Sequence, residues 1–354
     1  IQRSVYGATQ QEVRKKLAQV TTALDCGDYF QPSKMTLARW VELWLQEYTS
    51  DKKYLTVKHY TAQCKTHIVP SLGAVKLAEL TAPQIQAFYN GLLRDGMAPK
   101  SVRNIHGILT KCLSTAVSVE YIRDNPASRV TLPRVEKKEI HPLTDEQVKD
   151  FLRVSAGDEY EILLKVILFT GLRESEAIGL TWDCVDFKAG TVKVCKQLQK
   201  RPLSDGGFTF APLKNDKTRT LRPAPFVLEL LERRKREQAE QRLKAGELWV
   251  GWQTTDQQKS ALVFTTATGS NLSPQTVYNH YKKLASQIGA PDSRVHDLRH
   301  TFAVLSLQNG DDVKTVQGNL GHATAAFTLD VYGHVSERMK EDSAARMQEY
   351  ISNL

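Results

Sequence analysis

The residues best suited to chemistry lie in the second half of the chain. Tyr332 stands in NLGHATAAFTLDVYGHV, residues 319–335, with His322 ten positions before it and His334 two after. A tyrosine hydroxyl ordinarily ionises near pH ~10, and it becomes a nucleophile when cations flank its developing charge and a base takes its proton. Arg173 follows a glycine turn in FTGLRESEAIGLTW, at the expected start of a helix, with Glu176 one turn further on. A cation at a helix start opposes the helix dipole, so another group must hold it there. A phosphate would do so through paired guanidinium donors, and a plain Arg–Glu pair is the alternative.

In RVHDLRHTFA, His296, Arg299 and His300 share one helical face. There the Arg can grip a phosphate oxygen while the His bonds a second one or handles a proton. A core histidine bonded to backbone is the alternative for His296. Lys214, in PLKNDKTRTL, is expected beside a turn between two short strands, where a mobile ammonium could enter a groove as a general acid or simply remain exposed.

The set narrows the chemistry more than any member does. There is no P-loop, no Gly-x-Ser-x-Gly and no cluster of acidic metal ligands. His296 and His300 have zincin-like spacing, but Asp297 stands where that motif has Glu, and no third ligand is near. Neither a metal nor another cofactor is expected. Two arginines suit the single charge of a phosphodiester, and cationic side chains can replace Mg²⁺ at its pentacoordinate transition state.

Composition agrees with a polyanionic partner. The 354 residues carry 48 Lys and Arg against 39 Asp and Glu, a net charge of +9, which fits nucleic acid or a merely solvated basic surface. Five scattered cysteines (Cys26, Cys64, Cys112, Cys184 and Cys195) without C-x-x-C argue against a disulfide framework or a zinc site and fit a reducing cytosol. No apolar run approaches the ~18 residues of a membrane span, and no signal-peptide core is seen. The first residue is Ile rather than Met, as in a fragment.

These residues need a scaffold, and periodicity predicts a mainly helical one with a small β component. Residues 1–34 include a polar helix too small for a core. From Thr36, TLARWVELWLQEY places Leu37, Trp40, Val41, Trp44, Leu45 and Tyr48 on one face, with Thr36 as N-cap. A second helix is expected to stop at Pro70 and Gly73, and two more follow, completing a four-helix unit over 35–133. Lys58, Lys65, Lys100, Arg103 and Lys111 of this unit, with Lys217 and Arg219 beside Lys214, are candidate phosphate contacts, or the wet sides of their elements. The Pro-rich, aperiodic stretch DNPASRVTLPRVEKKEIHPLT reads as a linker, with 134–143 as the interdomain linker itself. A larger α+β unit covers 144–340, and 341–354 forms a terminal amphipathic helix.

With these pieces placed, the chain resembles the tyrosine recombinase, or phage integrase, family over nearly its whole length. The resemblance is carried by TGLRESEAIGL, LKNDKTRTLRP, HDLRHTFA, LGH and TLDVYGHV, which follow the family's order of Arg, hairpin Lys, His-x-x-Arg, His and Tyr. One departure is Ser175, where the family usually has Gly. The likeness is nearest to integrases of conjugative transposons and prophages.

It implies that Tyr332 attacks a DNA phosphate to give a 3′-phosphotyrosyl link and a 5′-hydroxyl. Arg173 and Arg299 would clamp the non-bridging oxygens, Lys214 would protonate the leaving oxygen, and His296 would act as acid and base. His322 would bond a phosphate oxygen, and Glu176 would support Arg173. The same likeness implies a helical core-binding domain and a catalytic domain closing on double-stranded DNA as a C-shaped clamp. Residues 1–34 would be the tail of an arm-binding region, and the terminal helix would dock on a neighbour in a tetramer. An accessory directionality factor and a cytoplasmic, nucleoid-associated location belong to the same expectation. A type IB topoisomerase-like relaxing enzyme and a DNA-binding regulator without catalysis are the alternatives.

Overall fold

The computed structural model describes residues 8–25, 34–136, 141–213, 217–321, 344–345 and 347–353. The chain divides into two compact units, Ile1–Lys137 and Lys138–Leu354.

The first unit is helical. Helix α1 spans Gln10–Asp25, and α2 spans Leu37–Glu47, where the Thr36 hydroxyl accepts the Arg39 N–H at 3.3 Å as the N-cap. Leu37, Trp40, Val41 and Trp44 are buried on one face of α2. Helix α6 (Pro99–Ser118) closes over them, and α5 (Ala82–Arg94) packs on α6 in the same core. The indole N–H of Trp40 donates to the Cys112 carbonyl at 3.0 Å, and that of Trp44 donates to the Thr115 hydroxyl at 3.1 Å. Two large apolar rings thus bury their surface on α6 without leaving a polar atom unpaired.

Between α2 and α5, the helical run passes through Pro70 instead of stopping there. Helix α3 (Tyr54–Gln63) leads into a π-turn, Cys64–Ile68, and then α4 (Val69–Leu72). The Val69 N–H reaches back five residues to the Cys64 carbonyl. This wider turn sits immediately before the proline, whose ring would otherwise press on the carbonyl four residues back. The stretch expected to be linker also begins with structure. A 3₁₀ turn at Pro126–Arg129 buries Ala127 in the helical core, and Arg103 Nε donates to the Pro133 carbonyl at 2.9 Å.

The second unit is built around α8 (Glu161–Thr170), preceded by α7 (Asp145–Val154) with a Thr144–Gln147 capping box. Helix α8 is apolar around its circumference and buried, with Lys165 paired to Glu161 at 2.6 Å. It packs against two long helices, α10 (Pro225–Ala245) and α13 (Val295–Gln308). The short α9 (Glu174–Ala177) follows it, with α11 (Thr255–Lys259), α12 (Pro274–Gln287) and α14 (Val313–Leu320) completing the described helices before the terminal segment.

The strands are β1 (Val185–Asp186), β2 (Thr191–Val194), β3 (Gln197–Lys200), β4 (Phe208–Ala211) and β5 (Arg219–Leu221). The two strands flanking Lys214 do not pair with each other, which corrects the simple turn expected there. Strand β4 pairs with β3, while β5 returns to β2 in the order β1-β2-β5. The β3–β4 hairpin is therefore an insertion between two partners of one sheet.

Candidate active site

Helix α8 ends in a left-handed turn at Gly171, whose φ is +65°. A Cβ there would lie 2.5 Å from Phe302 and 2.7 Å from Leu320, so close packing as well as backbone conformation requires glycine. The turn aims the Gly171 carbonyl at Arg299 on α13, whose Nη1 donates to it at 2.6 Å. Arg299 Nη2 donates to the Leu320 carbonyl, also at 2.6 Å, and the side chain is almost fully buried.

Two residues beyond the turn, Arg173 is the N-cap of α9 and lies beside Glu176. What holds this cation at a helix start is the i, i+3 pair weighed against a phosphate, but it is not a surface pair. Glu176 is only 2% exposed, and its carboxylate accepts four donors. Oε1 receives Arg173 Nη1 at 2.7 Å and Arg219 Nη1 at 3.2 Å. Oε2 receives the Arg173 backbone N–H at 3.0 Å and Arg219 Nη2 at 2.6 Å. Burial alone would raise the Glu176 pKa. The Arg219 hydrogen bonds and charge, then those of Arg173, overcome it and hold the group at about 2.

Arg219 thus differs from its expected role as a DNA contact. Its Nε also donates to the Asn319 carbonyl at 2.8 Å, so each guanidinium nitrogen is engaged within the protein. Strand alternation carried the signal, because Arg219 lies on the same side of β5 as the buried Leu221, while Thr220 between them is exposed. The other candidate contacts (Lys58, Lys65, Lys100, Arg103, Lys111 and Lys217) are exposed. Of these, Lys111 donates to the Tyr60 hydroxyl at 3.0 Å.

The three arginines meet at one place. Asn319, Leu320 and Gly321, the last carbonyls of α14 and its cap, face Arg219, Arg299 and Arg173 respectively, the last contact being a long 3.5 Å. Carbonyls at a helix C-terminus lack partners within the helix and carry its negative dipole end, so they suit guanidinium donors. Three arginines gather here with one carboxylate, which only Arg173 and Arg219 contact, so the group carries an excess of two positive charges. Arg173 is the most exposed of the three side chains, at 21%.

His296 lies on the solvent side of α13, its ring edge-on to that of His300 with centroids 4.9 Å apart. Desolvation first, and then the charge of Arg299, push its pKa below the ordinary imidazole value. His300 is pushed further, to about 4, by burial and then by His296. Ser175, the departure from the family pattern, donates its hydroxyl to Gln197 at 3.0 Å and so ties α9 to β3. Lys214, His322 and Tyr332 lie outside the described residues. The described chain stops at Leu213 before the first and at Gly321 before the second. Among the described residues no group of three or more His, Cys, Asp or Glu is placed to hold a metal ion.

Residues 136–339 match the Phage integrase family, and residues 36–93 match the phage integrase N-terminal SAM-like domain. A tyrosine recombinase XerC-like protein of Caldanaerobacter subterraneus subsp. tengcongensis is 26% identical, over 99% of this chain and 92% of that one. Among solved structures, the Tn1549 transposon integrase in complex with a circular intermediate DNA superposes with a TM-score of 0.74 at 19% identity, covering 89% of this chain and 100% of the other. A lambda integrase tetramer bound to a Holliday junction has a TM-score of 0.62 at 19% identity, covering 93% and 89%. At these identities the structures establish the shared fold. The chain belongs to the phage integrase family. It is a tyrosine site-specific recombinase, acting in the integration or excision of a mobile element.

Proposed function

We propose that Tyr332 is the nucleophile and that Arg173, Lys214, His296, Arg299 and His322 complete the catalytic set. The observation that carries this is the convergence of three arginines and one carboxylate at the end of α14, one residue before His322. Its surplus positive charge suits a phosphodiester and the additional negative charge that gathers on the phosphorus oxygens during attack. The Tyr332 oxygen bonds to phosphorus as the bond from phosphorus to the 5′-oxygen breaks. His296 takes the tyrosine proton, a role its lowered pKa favours by keeping the ring neutral near pH 7. Lys214 gives a proton to the leaving 5′-oxygen. Attack by a 5′-hydroxyl of another strand reverses these steps and rejoins the DNA without ATP, because the phosphotyrosyl bond conserves the energy of the phosphodiester.

Double-stranded DNA is the substrate, and exposed lysines of the helical unit supply phosphate contacts that position it. Self-association to a tetramer through 341–354 is supported by the apolar stripe Met347, Tyr350 and Ile351, each more than half exposed on the terminal helix. A directionality factor and a cytoplasmic, nucleoid-associated setting complete the picture. No described helix is long and apolar enough to cross a membrane.

A suicide substrate, nicked so that the short cleaved strand diffuses away, tests the nucleophile. Wild-type protein should become covalently linked to DNA, and Tyr332→Phe should bind with unchanged affinity and give no adduct. An adduct with the Phe variant would overturn the assignment.

A further inference from the structure

Resting on the phosphotyrosyl chemistry proposed above, we infer that Arg219 is a positioning residue that locks Glu176 in its ionised form and ties it to the end of α14, thereby holding Arg173 and the residues leading to His322 in register. One side chain reaches both elements. Nη1 and Nη2 lie against the two oxygens of Glu176 at 3.2 and 2.6 Å, and Nε lies 2.8 Å from the Asn319 carbonyl. The fork is rigid and planar, so these three bonds fix the distance from α9 to α14. The packing is close as well, because a Cβ added at Gly321 would meet Arg219 Nη1 at 3.1 Å. Arg219 also opens β5 and lies five residues after Lys214 in the sequence.

The charged groups facing Glu176 are few. Arg173 faces it from the start of α9 and Arg219 from β5. From β3 the neighbour of α9 is the neutral Gln197, from α14 the partners of the arginines are main-chain carbonyls, and on α13 Arg299 is directed to Gly171 and Leu320. Without Arg219, a nearly inaccessible carboxylate would keep only the donors of Arg173. Burial, the largest influence on it, would then favour the neutral acid. A protonated Glu176 can no longer hold the Arg173 guanidinium as a charged pair.

The test is the pH profile of single-turnover cleavage on the suicide substrate, with DNA affinity measured in parallel. Wild type should show no acid limb from Glu176 above pH 5. Arg219→Met should cleave at least tenfold more slowly than wild type at pH 8 and lose a further tenfold or more by pH 6, with DNA affinity changed less than threefold. Arg219→Lys keeps the charge but not the fork, so it should give an intermediate profile, and it remains informative if the Met variant does not fold. In a Glu176→Gln background, Arg219→Lys should add less than threefold. A folded Arg219 variant with the wild-type pH profile, or full additivity with Glu176→Gln, overturns the inference while leaving the nucleophile intact. Absence of any wild-type adduct instead removes the underlying chemistry.

Discussion

The two units treat positive charge in opposite ways. In the helical unit, Lys58, Lys65 and Lys100 project from α3, the π-turn and α6 into solvent. In the catalytic unit, Arg219 and Arg299 turn inward onto a carboxylate and onto carbonyls at the end of α14. Exposed charges act on a polyanion additively and are screened by salt, whereas buried ones act through fixed geometry and are costly to disturb. The first arrangement suits holding DNA, and the second suits holding a single phosphate.

The largest effect should come from the inner group. Arg173→Ala should lower single-turnover cleavage by roughly 10²–10³-fold, the scale of losing one preorganised donor to a developing oxyanion, with DNA affinity falling by less than tenfold. Equal losses in both measurements would erase the distinction between the two units. Next in size, replacing Lys58, Lys65 and Lys100 together by Ala should flatten the salt dependence of DNA binding. The slope should fall by roughly 0.9 log units per log salt for each phosphate no longer neutralised, and the cleavage rate of bound complex should stay within twofold of wild type. An unchanged slope would show these lysines to be ordinary solvated side chains.

The smallest effect sharpens the comparison inside α9 itself. Glu174, two residues from Glu176, has a buried Oε1 with no hydrogen-bond partner among the described residues, and burial raises its pKa from 4.5 to about 7. The folded protein therefore holds this proton more tightly than the unfolded chain. Its contribution to stability is complete below pH 4.5 and is lost as pH rises through about 7. Glu174→Gln removes that dependence. It should leave the melting temperature nearly unchanged at pH 4.5 and raise it by a few degrees at pH 8, as read by circular dichroism. A fall at pH 8 would mean that the ionised carboxylate has a stabilising partner.

Much of this was legible in the sequence, because caps and periodicity are local. Thr36, Thr144 and Gly171 mark helix ends through bonds to residues within one turn, and the apolar face of α2 emerges at helical spacing. The motif segments bearing Arg173, Glu176, His296 and Arg299 were equally plain. What escaped depends on distant partners. In the charged run LERRKREQ, Arg234 is buried, donating through Nε to the Val263 carbonyl and through Nη2 to that of Thr265, partners 29 and 31 residues away. Cys184 and Cys195 bring their sulfurs within 3.6 Å without any C-x-x-C spacing, because β1 and β2 pair. Helix α14 carries local signals in the Asp312 N-cap and the Gly321 cap, but the arginines that its last carbonyls accept come from distant elements. The split of β4 and β5 between two sheets likewise depends on pairing choices that alternation alone does not specify.

The acceptors at the end of α14 are main-chain atoms, and this gives the site an unusual pattern of tolerance. Exchanging one side chain for another at Asn319 leaves the oxygen that Arg219 binds in place. Adding or removing a single residue within Val313–Leu320 would instead turn every acceptor by about 100°, one residue's share of a helical turn. Across natural variation or in a mutational library, this helix should therefore accept changes of letter at Asn319 far more readily than changes of length.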